Sequence, residues 1–221
     1  MKVLVIGASR GIGLELVRQY RADGASVTAT ARDAAGLARL KALGARALPL
    51  DLLAVASVAG LGSSLDGEAF DVVVLNAGVY GPDIDAMQTP TAADFDAVMH
   101  TNVLGAMRVL PPLVDRLAPG AKLAVISSKM GSIGEQATAS GWLYRASKAA
   151  LNSVLRSVSI GLEGKAVCVA FHPGWVQTDM GGAQADLTRE HSVSDMRRVI
   201  KGLRQADNGH FLNHDGSAID W

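Results

Sequence analysis

Short apolar runs alternate along the chain with longer segments in which apolar residues recur at helical spacing. The apolar runs predict six strands, at residues 2–6, 26–30, 46–50, 71–76, 122–127 and 166–171. The segments between them predict helices at residues 11–23, 33–43, 91–117 and 142–162. Several of the runs are almost entirely apolar, which is typical of strands buried on both faces of a parallel sheet. The pattern therefore predicts an α/β fold with helices on each side of the sheet.

The second half of the chain adds two further elements. A helix is predicted at residues 193–206, followed by a final strand and tail from residue 210. Pro111 and Pro112 should kink or interrupt the helix predicted at 91–117, because proline lacks a backbone N–H and clashes with the preceding turn. No repeat, low-complexity tract or linker divides the sequence. We expect one domain over residues 1–221.

Composition narrows the class of partner. Hydrophobic residues make up 49% of the chain and aromatic residues only 5%, with 24 glycines, so the core should consist of closely packed small and aliphatic side chains. The 21 basic and 21 acidic side chains balance. No net field therefore attracts nucleic acid or an anionic membrane, and a small-molecule partner is favoured.

The single cysteine and the N-terminus limit the compartment. Because Cys168 is the single cysteine of the sequence, an intrachain disulfide and a cysteine-rich metal site are excluded. It lies in an apolar run, and we interpret it as a core residue. The first apolar run, at residues 2–6, is too short for a signal peptide or a membrane span. We expect a cytoplasmic protein without a bound metal.

Three glycines follow the first predicted strand directly, at positions 7, 11 and 13 of GASRGIG. Because glycine has no Cβ atom, backbone N–H groups at such a strand-to-helix turn can approach a pyrophosphate at the positive end of the helix. The spacing favours a dinucleotide site, and glycines that serve only tight packing are the alternative. A phosphate-loop NTPase is disfavoured because GxxxxGK followed by Ser or Thr is absent.

The end of the second strand bears on which dinucleotide binds. An enzyme that prefers NAD usually holds an acidic residue there against the ribose 2′-hydroxyl. Here Ala31 and Arg32 occupy that place, and Arg10 in the glycine loop adds a second guanidinium suited to a phosphate. We therefore predict NADPH. Asp33 keeps NADH open, and both arginines could be ordinary surface charges.

The segment YRASK places Tyr144 four residues before Lys148 in a predicted helix, so the two side chains share a face. Taken alone, the pair could be a buried aromatic residue beside a solvated lysine. It could also be a phenol whose acidity the lysine adjusts.

Six motifs occur in an order and on elements that resemble the short-chain dehydrogenase/reductase family. They are GASRGIG, LNAG at 75–78, Asn102, ISS at 126–128, YRASK and HPGWVQTDM at 172–180. The resemblance covers almost the whole chain. With the ending FLNHDGSAIDW, it is similar to the branch of sniffer-type and C-factor-like carbonyl reductases. It implies a Rossmann-type, doubly wound parallel sheet in a single domain.

The resemblance implies a catalytic tetrad of Asn102, Ser128, Tyr144 and Lys148. Tyr144 would give a proton to the carbonyl oxygen, which Ser128 would polarise. A phenol of ordinary pKa ~10 suits neutral pH poorly, so Lys148 is expected to lower that pKa, by ~1 to 3, and to bind the nicotinamide ribose. Asn102 would hold a water that links Lys148 to solvent.

The resemblance also implies the contacts of the cofactor. Asn76 would lie by the adenine ribose, Asp51 and Leu52 would meet the adenine ring, and the turn from Pro173 would hold the nicotinamide carboxamide. The expected cofactor-binding residues are Gly7, Ser9, Arg10, Gly11, Ile12, Gly13, Arg32, Asp51, Leu52, Asn76, Ala77, Gly78, Tyr144, Lys148, Pro173, Gly174, Val176 and Thr178. His172 is interpreted as structural, because no second ligand stands nearby at metal-binding spacing.

Three departures from the family pattern raise separate questions. Ile6 stands where many members have Thr before the first glycine, so a hydroxyl contact should be missing from that turn. The segment between Ser128 and Tyr144 is longer than in many members, which leaves Ser127 and Ser132 as weaker candidates for the serine role. The usual NNAG is LNAG here, so only the last three residues carry over.

These observations favour an NADPH-dependent reductase that converts aldehydes, ketones or quinones to alcohols. The alternative from another class is a catalytically silent redox sensor or signalling protein that binds the dinucleotide. An epimerase or dehydratase usually has an additional substrate-binding region, for which 221 residues leave little room. We expect an open pocket made by residues 134–142, by the segment after Val79 and by residues 181–192. The resemblance to the family also allows a homo-oligomer, either a dimer or a tetramer.

Overall fold

Seven parallel strands form the centre of the molecule in a computed structural model that describes residues 1–82 and 87–221. The order across the sheet is β3-β2-β1-β4-β5-β6-β7. The strands are β1 (Lys2–Ile6), β2 (Ser26–Ala31), β3 (Arg46–Pro49), β4 (Phe70–Leu75), β5 (Leu117–Ile126), β6 (Ala166–His172) and β7 (His210–Asn213). This confirms the predicted doubly wound α/β fold.

Helices cover both faces of the sheet. They are α1 (Gly11–Ala22), α2 (Ala34–Ala42), α3 (Val55–Ser64), α4 (Ala92–Met99), α5 (Gly105–Val109), α6 (Trp142–Gly161) and α7 (Arg189–Gly202). Successive side chains of a strand point to opposite faces. Accordingly, Val3 and Val5 of β1 pack in the core cluster with α1, α2 and α7, whereas Leu4 and Ile6 pack in the cluster with α3, α5 and α6. Within the described ranges, no helix has the length and apolarity needed to cross a membrane.

Helix α3 was not predicted from the sequence. Its residues, VASVAGLGSS, include two glycines and three serines, which have weak intrinsic helix propensity. Val58 and Leu61 are nevertheless buried against the sheet, three residues apart on one helical face. Tertiary packing therefore stabilises a helix that local propensity does not favour.

The interruption predicted at Pro111 and Pro112 is confirmed, but the helix predicted at 91–117 is also divided before the prolines and ends earlier. Helix α4 passes into a π-helical turn (His100–Leu104), then α5, and a 3₁₀ turn begins at Pro111. The prolines cannot donate the backbone hydrogen bonds that would continue α5. Strand β5 begins at Leu117, five residues before the prediction, because Leu117 pairs with Phe70 before the register shifts.

Helix α7 begins at Arg189 and not at residue 193 as predicted. Thr188 caps it, with the side-chain oxygen accepting a hydrogen bond from the His191 N–H at 3.2 Å. The irregular segment expected at 181–192 is therefore shorter, and its last residues are helical.

The strand order places a crevice beside β1 and β4. From β1 the chain enters α1 on one face of the sheet, and from β4 it proceeds to the helices of the other face. Loops that diverge in this way leave an opening at the carboxyl ends of the strands, where ligands bind in open α/β sheets. The glycine turn and the LNAG motif both lie at this edge.

Candidate active site

The glycine turn after β1 packs directly on the loop after β4. A Cβ atom at Gly7 would lie 2.6 Å from the Ala77 Cβ, and one at Gly13 would overlap the Gly7 carbonyl oxygen. The Asn76 side chain donates a hydrogen bond to that same oxygen at 2.7 Å. Gly7 also has φ +83°, a conformation that favours glycine. The two loops therefore form a rigid floor with no room for side chains.

A hydroxyl contact does exist in this turn, which corrects the expectation drawn from Ile6. Thr30 of β2 accepts a hydrogen bond from the Gly7 N–H at 3.0 Å through its side-chain oxygen. The two residues are adjacent because β1 and β2 pair in register. The sequence spacing carries no signal for this contact, since it depends on the pairing of two strands.

The two arginines expected to bind a phosphate differ in their surroundings. Arg32 is exposed, whereas Arg10 pairs with Asp179 across the cleft at 2.6 Å. Both partners of this pair lie mostly in water, so its contribution to stability is small, about 1 kcal/mol or less. A further arginine that the sequence analysis did not single out, Arg39 of α2, contacts the glycine turn. Its Nε donates a hydrogen bond to the Ser9 carbonyl oxygen at 2.9 Å.

Asp33 has a structural role in the turn after β2. Its carboxylate accepts a hydrogen bond from the Gly36 N–H at 2.6 Å and so caps the N-terminus of α2. Capping satisfies one of the free N–H groups of the first helical turn. The acidic residue that kept NADH open is thus already engaged with the protein through one of its oxygens.

Tyr144 and Lys148 lie on the inner face of α6, close to the end of β5. Only 7% of Tyr144 and 3% of Lys148 is exposed. The Lys148 amine donates a hydrogen bond to the Ile126 carbonyl oxygen at 3.0 Å and lies 5.6 Å from the centre of the Tyr144 ring. The neighbouring Ser128, which follows β5, is also buried.

The pKa of Tyr144 moves in the direction opposite to the one expected. Burial raises it to about 12, a hydrogen bond with Ser128 opposes this rise, and nearby Tyr80 adds to it. Burial also lowers the pKa of Lys148 to about 8. The expected net lowering of the phenol pKa is therefore wrong for this structure, because loss of hydration outweighs the hydrogen bond with Ser128. At neutral pH the phenol keeps its proton.

Asn102 lies in the π-helical turn and connects three parts of the site. Its side chain accepts from the Val79 N–H at 2.8 Å and donates to the Val79 carbonyl oxygen at 2.8 Å and to the Ser147 hydroxyl at 2.9 Å. Both amide hydrogens are thereby used. A Cβ at Gly78 would come within 3.2 Å of the Asn102 Oδ1 and 3.3 Å of the Lys148 Nζ. Asn102 therefore holds the loop after β4 against α6, and its water-holding role stays a prediction.

The two alternative serines are engaged elsewhere. The Ser127 hydroxyl donates to the Asn152 side chain at 2.6 Å, and the Ser132 hydroxyl donates to the Asp220 carbonyl oxygen at 2.5 Å. Ser128, by contrast, interacts with the phenol of Tyr144. Ser127 lines the cleft, but its hydroxyl is engaged by Asn152. The contact with the phenol therefore favours Ser128 over the other two for the serine role.

Comparisons with known proteins identify the family of this chain. Residues 1–189 match the family model described as short chain dehydrogenase. The chain belongs to the short-chain dehydrogenase/reductase family. The C-signal of Myxococcus xanthus is 40% identical over 159 residues, which cover 68% of this chain and 92% of that protein. The resemblance inferred from the motifs is thus confirmed.

Solved structures extend the likeness to the whole chain. The carbonyl reductase Sniffer of D. melanogaster superposes with a TM-score of 0.87 at 28% identity. A carbonyl reductase from Pseudomonas aeruginosa PAO1 in complex with NADP superposes with a TM-score of 0.89 at 32% identity. Each match covers 100% of this chain and 99% of the other.

Most of the cofactor residues predicted for this short-chain dehydrogenase line one cleft. These are Gly7, Ser9, Arg10, Gly11, Ile12, Arg32, Asp51, Leu52, Asn76, Ala77, Gly78, Tyr144, Lys148, Pro173 and Thr178. Gly13 lies beneath the turn, Val176 is buried, and Gly174 packs against Leu187 and His214. Thr30, Asp179 and Met180 also line the cleft and were not predicted. The last two directly follow a predicted contact, Thr178, which is the signal that could have found them.

An aromatic side chain that sequence reasoning did not single out packs against the Tyr144 ring. The ring of Tyr80 lies 4.7 Å from that of Tyr144, centre to centre, at an interplanar angle of 35°. A Cβ at Gly141 would touch the Tyr80 hydroxyl and the end of Met130. Residues 80 and 141 both fall in segments expected to form the substrate pocket. Residues 83–86 of the first segment lie outside the described residues.

His172 lies at the end of β6 and is interpreted as neutral. Burial lowers its pKa to about 4, so it carries no charge at physiological pH. Across residues 1–82 and 87–221, no group of three or more His, Cys, Asp or Glu side chains is placed to hold a metal ion.

Proposed function

We propose that the protein is an NADPH-dependent carbonyl reductase that converts aldehydes, ketones or quinones to alcohols. One observation carries the proposal: the phenol of Tyr144 and the buried amine of Lys148 line one end of a cleft whose other end is a glycine turn. The cleft fits a dinucleotide because Gly7 and Gly13 leave its floor free of side chains. The likeness to two carbonyl reductases supports the same reaction class.

NADPH, when bound, supplies a hydride to the carbonyl carbon. Tyr144 then gives its hydroxyl proton to the carbonyl oxygen, which completes the alcohol. A phenol pKa of about 12 keeps this proton in place at neutral pH. The alkoxide that would otherwise form is far more basic than a phenolate, so the transfer is downhill.

Ser128 and Lys148 assist the transfer from two sides. The Ser128 hydroxyl, buried beside the phenol, donates to the carbonyl oxygen and stabilises the negative charge that develops there. Lys148 carries a positive charge below a pH of about 8. In water-poor surroundings that charge favours the phenolate left behind by the transfer. The phenol regains a proton from solvent after each turnover.

Arg32, at the end of β2, supports a preference for NADPH. Arg32 is exposed and lines the cleft, so its guanidinium can bind a 2′-phosphate. Asp33 already caps α2, which weakens the case for a carboxylate that binds the 2′-hydroxyl of NADH. The similar Pseudomonas aeruginosa enzyme is in complex with NADP.

A second candidate function is dinucleotide binding without turnover, in a sensing or signalling protein. The name of the 40% identical relative, C-signal, favours it. Against it stands the complete set of Asn102, Ser128, Tyr144 and Lys148, which a silent binding protein does not need.

A turnover assay separates the two candidates. NADPH oxidation is followed with aliphatic aldehydes, aromatic ketones and quinones, the alcohol products are identified, and NADPH binding is titrated in parallel. The reductase hypothesis predicts one alcohol formed for each NADPH oxidised with at least one class of carbonyl. Tight NADPH binding without product in any class would support the sensor and overturn the reductase.

A further inference from the structure

Three residues distant in sequence from the tetrad hold the loop between Ser128 and Tyr144. We call residues 219–221 the strap. The Ile133 and Gly134 N–H groups donate to the main-chain oxygen of Trp221 at 3.2 and 3.1 Å. Ser132 donates to the Asp220 carbonyl oxygen at 2.5 Å.

A fourth bond joins the strap and the loop in the reverse direction. The Asp220 N–H donates to the Glu135 carboxylate at 3.3 Å. The same carboxylate pairs with Lys129 at 2.8 Å, the residue directly after Ser128. Four consecutive loop residues, 132–135, thus contact the strap. Residues 133–140 are otherwise exposed, so the loop has little core packing of its own.

The strap is itself anchored on the sheet. The Ile219 N–H donates to the Phe211 carbonyl oxygen at 2.8 Å, and the Ile219 side chain is buried. The Trp221 ring stacks on Phe211 with 5.5 Å between ring centres. Phe211 belongs to β7 and is fully buried, so the strap attaches the loop to the core of the sheet.

The loop in turn positions the reacting groups. Gly131, next to the strap-bound Ser132, packs on α6, where a Cβ atom would lie 2.8 Å from the main chain of Lys148. Ser128 accepts a hydrogen bond from the Met130 N–H at 3.2 Å. A shift of the loop would therefore move Ser128 relative to Tyr144 and Lys148.

We propose that residues 219–221 are positioning residues for carbonyl reduction, because they fix the loop that carries Ser128 toward the phenol of Tyr144. The proposal rests on the proposed function. The strap acts on the substrate end of the cleft and not on the glycine turn. Its loss should therefore impair reduction of the carbonyl while leaving the affinity for NADPH in place.

The kinetic test compares Trp221→Ala, Trp221→Phe and Ser132→Ala with the unchanged protein. Ser157→Ala is the matched control, since its hydroxyl also bonds a main-chain oxygen but lies on the exposed face of α6. We expect kcat/KM for the carbonyl to fall about tenfold in both alanine variants. The NADPH dissociation constant should stay within about twofold, and Trp221→Phe should restore the rate. Unchanged kcat/KM in Trp221→Ala, or an equal loss of NADPH affinity, would overturn the proposal.

Hydrogen exchange provides a readout that needs no turnover. In Trp221→Ala the amides of residues 133 and 134 should exchange about tenfold faster, while amides of β1 stay protected. Unaltered exchange at residues 133 and 134 would overturn the proposal that the strap holds the loop, whatever the kinetic result. If the unchanged protein reduces no carbonyl, the proposed function fails separately, and the exchange result still decides whether the strap holds the loop.

Discussion

At the scale of single residues, burial sets the charge states on which the chemistry depends. Tyr144 and Lys148 are both removed from water, so each favours its neutral form. The phenol is a proton donor over the whole physiological range. The amine, in contrast, titrates near a pH of about 8. The pH dependence of the reaction should therefore report Lys148 and not Tyr144.

The rate of reduction should fall as the pH rises through about 8. The lowered pKa of Lys148 means that its charge is present below that pH and lost above it. The value of kcat/KM for NADPH reports the free enzyme and is the quantity to measure. In Lys148→Arg the guanidinium stays charged, so the residual activity should show no decline near pH 8. The same decline in both proteins would assign it to another group.

The sequence could predict which residues form the tetrad, but not their ionisation. Motif order predicts that Tyr144, Lys148 and Ser128 lie together. The pKa of Tyr144 depends on how much water the surrounding loops exclude, and Tyr80 contributes to this from a different strand end. Such three-dimensional burial leaves no local pattern in the chain.

At the scale of elements, the glycine turn and α1 act as one unit with the loop after β4. Gly13 lies where the first turn of α1 crosses that loop, and a methyl group there would overlap the Gly7 carbonyl oxygen and lie 2.7 Å from the Asn76 amide nitrogen. The turn should therefore tolerate no side chain at this position.

The Gly13→Ala variant should bind NADPH at least about tenfold more weakly and lose about 1–3 kcal/mol of unfolding free energy through overpacking. Gly60→Ala in α3 is the control, because no atom lies within 4 Å of the added methyl group. It should gain about 0.5–1 kcal/mol, the usual effect of Ala over Gly in a helix. Urea unfolding and NADPH titration measure both. Native affinity in Gly13→Ala would show that the turn adapts.

Element boundaries were predictable where local signals dominate. Strands β1, β2 and β6 and the glycine turn follow from apolar runs that end at glycine, alanine or histidine. Helix α3 was not predictable because its glycines and serines have low helix propensity and only Val58 and Leu61 are buried. The early start of β5 escaped it because Leu117 pairs with Phe70 through an irregular register.

At the scale of the whole molecule, the ends of six strands contribute to one cleft. Residues at or just after the ends of β1 to β6 supply its lining, and the pair of Arg10 with Asp179 spans it. Contacts such as that of Thr30 with Gly7, or of the strap with residues 132–135, join distant parts of the chain. They depend on the assembled fold, so the sequence could not reveal them.

Arg32→Ala should raise KM for NADPH at least about tenfold and leave KM for NADH nearly unchanged, because only NADPH carries the 2′-phosphate that the guanidinium binds. Arg46→Ala is the control, since Arg46 lies at the start of β3, away from the cleft, and pairs with Glu68. Initial rates with both cofactors measure the change. An equal effect on both cofactors would contradict the assigned role of Arg32.

The most direct measurement is the rate of NADPH-dependent carbonyl reduction by Tyr144→Phe. Tyr20→Phe is the control, because Tyr20 is equally buried and also has a pKa raised to about 12, but packs against Arg197 away from the cleft. Loss of the proton donor predicts a fall in kcat of about 10²- to 10⁴-fold in Tyr144→Phe, with NADPH affinity retained and Tyr20→Phe near normal. Equal rates in Tyr144→Phe and the unchanged protein would contradict the assignment of Tyr144 as the proton donor.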